Sequence, residues 1–122
     1  MLSKRNILIV EDDLLIHMAY KRLLSSDYQI TLCDNCNTFY KALNMDTFHL
    51  FIIDLALNCE KNGIELIKDL RKDEKYASTP VFVVSAFVLK KDQQHAMDAG
   101  ATNFLPKPFN NKLLLEEIKK YI

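Results

Sequence analysis

Short apolar segments recur along the chain, and a longer stretch of helical character follows each one. Three segments, at residues 7–10, Leu50–Ile53 and 81–84, are almost purely apolar, which is typical of strands buried on both faces of a parallel sheet. Residues 29–33 and 102–105 have the same β-type composition. The pattern therefore predicts five strands.

The stretches between the strands carry apolar residues at three- and four-residue spacing, as on one face of an amphipathic helix. In the first helix, the predicted buried stripe is Leu15, Met18, Ala19 and Leu23. The predicted helices cover residues 13–25, 37–44, Gly63–Lys72, Lys90–Ala99 and 110–121.

Residues at the helix ends support these boundaries. Asp13 and Asn110 are predicted to cap the starts of the first and last helices, because their side chains can accept from free backbone N–H groups. Gly100 is placed to end the fourth helix in the left-handed conformation.

A β-strand followed by an α-helix, repeated five times, predicts an α/β fold with helices on both faces of a parallel sheet. The chain has 122 residues, which is the size of a single domain covering residues 1–122. Its 49% hydrophobic and 26% charged content is that of a soluble globular domain. Such sheets place their functional groups outside the carboxyl ends of the strands.

Composition excludes several classes of protein. Sixteen basic and sixteen acidic residues give zero net charge, which disfavours nucleic-acid binding. The only two glycines, Gly63 and Gly100, are far apart, so no glycine-rich nucleotide loop and no G-x-S-x-G nucleophile motif is present. No apolar run is long enough for a signal peptide or membrane span, so we expect a cytoplasmic protein without membrane contact.

Polar residues with complementary chemistry stand at the predicted strand ends. Glu11 and Asp12 follow the first strand, Asp54 the third, Ser85 the fourth and Lys107 the fifth. Parallel strands bring these ends to one edge, where clustered carboxylates repel one another unless a cation neutralises them. A small set of oxygen ligands suits Mg²⁺, and a rigidly held carboxylate can form an acyl phosphate. The strand ends therefore predict phosphoryl chemistry.

Four segments carry a resemblance to a known family: ILIVEDD at 7–13, FIIDL at 51–55, VVSA at 83–86 and AGATNFLPKPF at 99–109. They resemble the receiver domain of two-component response regulators, and the resemblance covers essentially the whole chain. It implies a CheY-like, flavodoxin-like (βα)5 fold, doubly wound, with the five parallel strands in the order 2-1-3-4-5.

The resemblance implies a phosphoacceptor and a metal site. Asp54 would be phosphorylated and would also bind Mg²⁺. Glu11 and Asp12 would be the acidic pair, with Asp12 the more direct ligand, and the backbone carbonyl of Ala56 would supply another ligand.

Further roles follow from the same resemblance. Ser85 and Lys107 would contact the phosphoryl group, and Phe104 would be the rotating aromatic that reports phosphorylation. Ala56 and Phe87 occupy the two positions that tune dephosphorylation in the family. Because Ala56 lacks a polar atom to hold water and Phe87 is bulky, we expect slow loss of the phosphoryl group.

The resemblance implies that the bond between Lys107 and Pro108 is cis. Two departures from the family pattern qualify the match. The acidic pair begins with Glu11, where Asp is commoner. Residues 57–62 lack the proline common after the phosphoacceptor and are one residue longer than usual before Gly63, which affects partner contacts near Asp54.

The resemblance also implies partners. A sensor histidine kinase or a histidine phosphotransfer protein would donate the phosphoryl group from a phosphohistidine. Output would pass through protein contacts on the face from Lys90 to Ile122, with no nucleic acid bound. The chain would not be an enzyme beyond catalysing its own phosphorylation and dephosphorylation, and we expect it to be a stand-alone receiver.

Two alternative functions stay open. The first is an interaction module that works without phosphorylation, against which the intact Asp54, Asp12, Ser85 and Lys107 argue. The second is a receiver excised from a hybrid histidine kinase or a longer regulator.

Four other kinds of site are excluded or disfavoured. A haloacid-dehalogenase-type phosphatase needs an aspartate at position 56, which is alanine, and an FMN site needs hydroxyls where Glu11 and Asp12 stand. The C-x-x-C of Cys33 and Cys36 lacks the sequence context of a thioredoxin or zinc site, so we interpret both cysteines as structural.

Overall fold

The computed structural model describes residues 4–57, 61–86 and 89–122. Every predicted strand and helix is present, with boundaries within two residues of those expected, and a short 3₁₀ helix, Glu74–Tyr76, precedes the fourth strand. None of the described helices has the length and apolar character needed to cross a membrane.

The strands are β1 (Arg5–Val10), β2 (Tyr28–Cys33), β3 (Leu50–Ile53), β4 (Val81–Ser85) and β5 (Asn103–Pro106). The helices are α1 (Leu14–Leu24), α2 (Cys36–Met45), α3 (Gly63–Lys72), α4 (Lys90–Ala99) and α5 (Asn111–Lys119).

The five strands form one parallel sheet in the order β2-β1-β3-β4-β5, which confirms the order implied by the resemblance. Val10 at the end of β1 lies opposite Ile53 at the end of β3. Ser85 at the end of β4 lies opposite Pro106 at the end of β5. The residues that follow these strands therefore meet at one edge of the sheet.

Helices cover both faces of the sheet, which explains why β1, β3 and β4 are apolar without alternation. Alternate residues of each strand enter opposite core layers. One layer joins Leu8, Phe51 and Val83 to α2, α3 and α4. The other joins Ile9, Ile52 and Phe82 to α1 and α5.

The buried face of α1 differs from the predicted one. Leu15 and Met18 are 76% and 57% exposed, and Ala19 is exposed too, whereas Tyr20 and Leu24 are buried. Tyr20 stacks on the ring of Phe109, with centroids 4.9 Å apart, and packs with Leu24 in the core layer shared with α5. Of the predicted stripe, Leu23 is half-buried and packs against the core, but the other three residues do not, because α1 has apolar residues on two sides.

The predicted helix ends are confirmed. Asp13 Oδ1 accepts from the Leu15 backbone N–H at 2.8 Å, and Asn110 Oδ1 accepts from that of Leu113 at 3.0 Å. Gly100 ends α4 with φ of 115°, a conformation that glycine adopts without a steric penalty.

Candidate functional site

Two buried carboxylates, Glu11 and Asp54, follow β1 and β3 directly and are 1% and 4% exposed. Their backbones continue the hydrogen bonding of the sheet: Glu11 N–H donates to Cys33 O at 2.9 Å, and Asp54 N–H donates to Val10 O at 3.1 Å. Both side chains are therefore aimed by the rigid sheet rather than by a loop.

A single ammonium group bridges the two carboxylates. Lys107 Nζ lies 2.5 Å from Glu11 Oε1 and 2.8 Å from Asp54 Oδ2. The Lys107 backbone N–H donates to Ser85 O at 2.9 Å, so β4 places this residue. The Lys107–Pro108 bond is cis, as the resemblance implied. The strand-end residues thus form one ion-pair network.

Burial and charge shift the pKa values in this network. Burial raises the pKa of the Glu11 carboxyl, and the Asp54 charge adds to this, while hydrogen bonds from Lys107 and from the Asp13 backbone lower it in part. Burial opposes the charge on Lys107, but hydrogen bonds to Asp54 and Glu11 outweigh it and raise the pKa of the ammonium. A charged Glu11 is therefore costly, whereas a charged Lys107 is favoured.

Asp12 adds a third carboxylate and is exposed, so the cluster opens to solvent on that side. Oxygen atoms of Glu11, Asp12 and Asp54 all lie within 4.8 Å of one another. The Ala56 backbone N–H donates to Asp54 Oδ1 at 3.1 Å, which keeps the chain after β3 close to this carboxylate. Hard oxygen donors with an accessible side fit Mg²⁺, which retains several waters when bound.

The predicted switch residues lie on β4 and β5. Ser85 is buried at the end of β4, and its carbonyl accepts from the backbone N–H of Lys107. Phe104 is half-buried, lies opposite Val83 and packs against the core layer that includes α4. Phe87, the second predicted lifetime residue, lies outside the described residues.

Gly63 is a site residue that the sequence interpretation missed. A Cβ atom at this position would lie 2.4 Å from Asp54 O and 2.8 Å from Leu55 Cα. The Gly63 N–H also donates to Leu55 O at 3.3 Å. Only glycine permits this approach of α3 to the backbone that follows β3. Glycine is rare in this chain, and that rarity was the sequence signal that could have identified Gly63.

Cys33 is a free, buried thiol at the end of β2. Burial raises its pKa to about 11, which keeps it protonated near neutral pH. Cys36, at the start of α2, is not bonded to it. These observations agree with the expectation that Cys33 and Cys36 do not form a redox pair.

The family model of the response regulator receiver domain matches residues 7–119. The chain belongs to this family. It is 29% identical to the transcriptional regulatory protein CrdR of Helicobacter pylori, over 97% of this chain and 55% of the relative. It is 32% identical to CpxR of Klebsiella pneumoniae, over 93% of this chain and 47% of the relative. The chain thus spans about half the length of these curated relatives.

Solved receiver structures share the fold. The chemotaxis protein CheY4 of Vibrio cholerae superposes with a TM-score of 0.90 at 22% identity, covering 98% of this chain and 100% of that one. The receiver domain of the sensor histidine kinase PA1611 from Pseudomonas aeruginosa, whose structure has a magnesium ion in its active-site cleft, superposes with a TM-score of 0.86 at 22% identity, covering 98% of both chains. This chain is a receiver domain of two-component signalling.

The raised pKa of Glu11 leads to a stability prediction. The folded protein binds the Glu11 proton more tightly than the unfolded one. Wild-type stability therefore falls as pH rises from 4.5, the ordinary pKa of this carboxyl, through its raised pKa in the folded protein. Glu11→Gln should therefore raise the Tm of the Mg²⁺-free protein at pH 7 by a few degrees, and the gain should disappear below pH 4.5. It should also reduce the rise in Tm that Mg²⁺ produces.

Differential scanning fluorimetry with and without Mg²⁺ measures both effects. Glu117→Gln is the matched control, because Glu117 pairs with Lys120 on the surface of α5. A lower Tm for Glu11→Gln at pH 7 without Mg²⁺ would show that the ion pair with Lys107 outweighs the burial of Glu11.

Proposed function

We propose that this chain, as a receiver domain over residues 1–122, accepts a phosphoryl group on Asp54 from a phosphohistidine. The donor is a sensor histidine kinase or a histidine phosphotransfer protein, and the exchange takes place in the cytoplasm, where ATP is available. The observation that carries the proposal is the buried Asp54 carboxylate, paired with Lys107 at 2.8 Å and flanked by Glu11 and Asp12.

In the transfer step, an oxygen of the Asp54 carboxylate attacks phosphorus while the phosphorus–nitrogen bond of the phosphohistidine breaks. The bonding electron pair stays on the imidazole nitrogen, which then takes up a proton, and the new phosphorus–oxygen bond gives an acyl phosphate. Lys107 neutralises charge on the transferred group, and the Ser85 hydroxyl donates to one of its oxygens.

Mg²⁺ fits the same cluster. The Asp12 and Asp54 carboxylates and the Ala56 carbonyl would hold it, with Glu11 close by. When bound, the cation supplies positive charge that offsets the repulsion among the carboxylates and the phosphoryl oxygens. The buried position of Asp54 excludes bulk water from one side of the reacting oxygen.

Phosphorylation is proposed to change the face from Lys90 to Ile122. When Ser85 moves toward the phosphoryl group, space opens and Phe104, half-buried on the neighbouring strand, turns inward. This face also presents Met97 and Leu113, which are 44% and 43% exposed and suit a protein partner.

The phosphoacceptor is tested by acetyl phosphate with Mg²⁺. The wild-type chain should gain one phosphoryl group by intact-mass spectrometry, and Asp54→Asn should gain none, because an amide is not the required nucleophile. Asp34→Asn, an exposed carboxylate after β2, is the control and should label at the wild-type rate. A labelled Asp54→Asn variant would refute the assignment of Asp54, and a wild-type chain that gains no phosphoryl group would favour an interaction module that works without phosphorylation.

The phosphohistidine protein is proposed to dock on α1. Leu14, Leu15 and Met18 are 71%, 76% and 57% exposed, which leaves an apolar surface on α1. A groove of about 410 Å³ runs from Leu15 to Lys107 and Phe109. Lys107 lines this groove and is also paired with Asp54. A donor protein that binds an apolar helix in the groove would therefore place the phosphohistidine of that helix near Asp54.

Leu15→Lys should therefore slow transfer from the donor at least tenfold, since a charge in the groove excludes an apolar helix. The measurement uses the donor that phosphorylates the wild-type chain fastest in a panel of purified histidine kinases and phosphotransfer proteins. Labelling by acetyl phosphate should not change, and Leu113→Lys on α5 is the matched control. Equal effects of both substitutions would exclude α1 as the docking surface.

The lifetime of the acyl phosphate is proposed to depend on positions 56 and 87. Ala56→Asn should speed hydrolysis several-fold, because an amide can hold the attacking water. Phe87→Ala should act in the same direction by uncovering the phosphoryl group. The decay of the phosphorylated form, followed by phosphate-affinity electrophoresis, measures both rates. Unchanged decay in both variants would show that water access does not set the lifetime.

A further inference from the structure

His17 contacts the candidate site although the proposed chemistry does not use it. It lies in the first part of α1, where its backbone N–H donates to Asp13 O at 3.0 Å. Its half-buried imidazole Nε2 is hydrogen-bonded to the backbone carbonyl of Glu11. A carbonyl oxygen can only accept, so Nε2 carries the proton in this contact.

The other polar groups of Glu11 also have partners in the fold. The Glu11 backbone N–H donates to Cys33 O, Glu11 Oε1 is paired with Lys107, and Glu11 Oε2 accepts from the Asp13 N–H at 3.2 Å. His17 holds the remaining polar group, the carbonyl. Each polar atom of Glu11 is therefore held by a different part of the fold.

The Glu11 carbonyl belongs to the peptide unit that leads into Asp12. Rotation of this unit would move the Asp12 Cα and redirect its carboxylate. Because the Asp12 side chain is exposed, its direction depends on the backbone more than on packing. His17 therefore restrains the carboxylate that completes the oxygen cluster with Glu11 and Asp54.

We propose that His17 is a positioning residue for the divalent-cation site: its Nε2–H fixes the peptide between Glu11 and Asp12 so that the Asp12 carboxylate is ready to bind. The inference rests on the proposed function, because it concerns the same metal site. Groups that orient ligands in this way typically change metal affinity by about 10–100-fold when removed.

Two substitutions separate the hydrogen bond from the bulk of the side chain. Gln places its amide nitrogen near the position of Nε2 and can still donate, whereas Asn is too short to reach the carbonyl. We expect His17→Gln to bind Mg²⁺ within about twofold of wild type and His17→Asn to bind about tenfold more weakly. His95→Asn, on the exposed side of α4, should leave the affinity unchanged.

The readout is the Mg²⁺ dissociation constant of the unphosphorylated protein, from an amide NMR titration, and the same spectra report whether each variant is folded. Equal affinities for His17→Asn and wild type, or equal losses in both His17 variants, would overturn the inference. Those results would leave the proposed function intact if the wild type binds Mg²⁺ and is labelled at Asp54. A wild-type chain that does not bind Mg²⁺ would overturn both.

Discussion

Two carboxylates buried side by side, Glu11 and Asp54, are the constraint on which the rest of the structure depends. Such a pair is stable only if positive charge lies between its members, and Lys107 supplies that charge through contacts of 2.5 and 2.8 Å. Burial still raises the pKa of the Glu11 carboxyl, and the Asp54 charge adds to this, although the hydrogen bond from Lys107 lowers it in part. The cluster is therefore suited to gaining a further cation, and a phosphoryl group on Asp54 would give Lys107 a new partner.

The fold maintains this arrangement because each charged group is attached to the sheet. The ends of β1 and β3 lie opposite each other, and the backbone of Lys107 is hydrogen-bonded to the end of β4. Gly63 lets α3 approach the carbonyl of Asp54 closely. Relaxing the charge cluster would require the packed core beneath it to move, so the core holds the charged groups in this arrangement.

Much of this could be predicted from the sequence, because strands buried on both faces give apolar runs whose ends are easy to locate. Glu11, Asp54 and Lys107 were identified in this way, since parallel strands bring their carboxyl ends together. The strand order came instead from the family resemblance, because local periodicity does not show which strands pair.

Features that depend on tertiary packing could not be predicted. Tyr20, on the buried side of α1, stacks on the distant Phe109, and periodicity alone does not distinguish the two apolar sides of this helix. Gly63 and Asp54, and likewise His17 and Glu11, lie closer together in sequence, but each contact depends on how a helix is placed beside the preceding strand, which is known only after folding.

The most direct test of the central claim is the free energy of unfolding of Lys107→Met, measured in urea with and without Mg²⁺. Removing the ammonium leaves two buried carboxylates without their cation, so we predict a loss of about 3 kcal/mol without Mg²⁺. Added Mg²⁺ should recover most of this loss and should stabilise the variant more than the wild type. A variant as stable as wild type without Mg²⁺, and indifferent to its addition, would contradict the claim that one cation holds this site together.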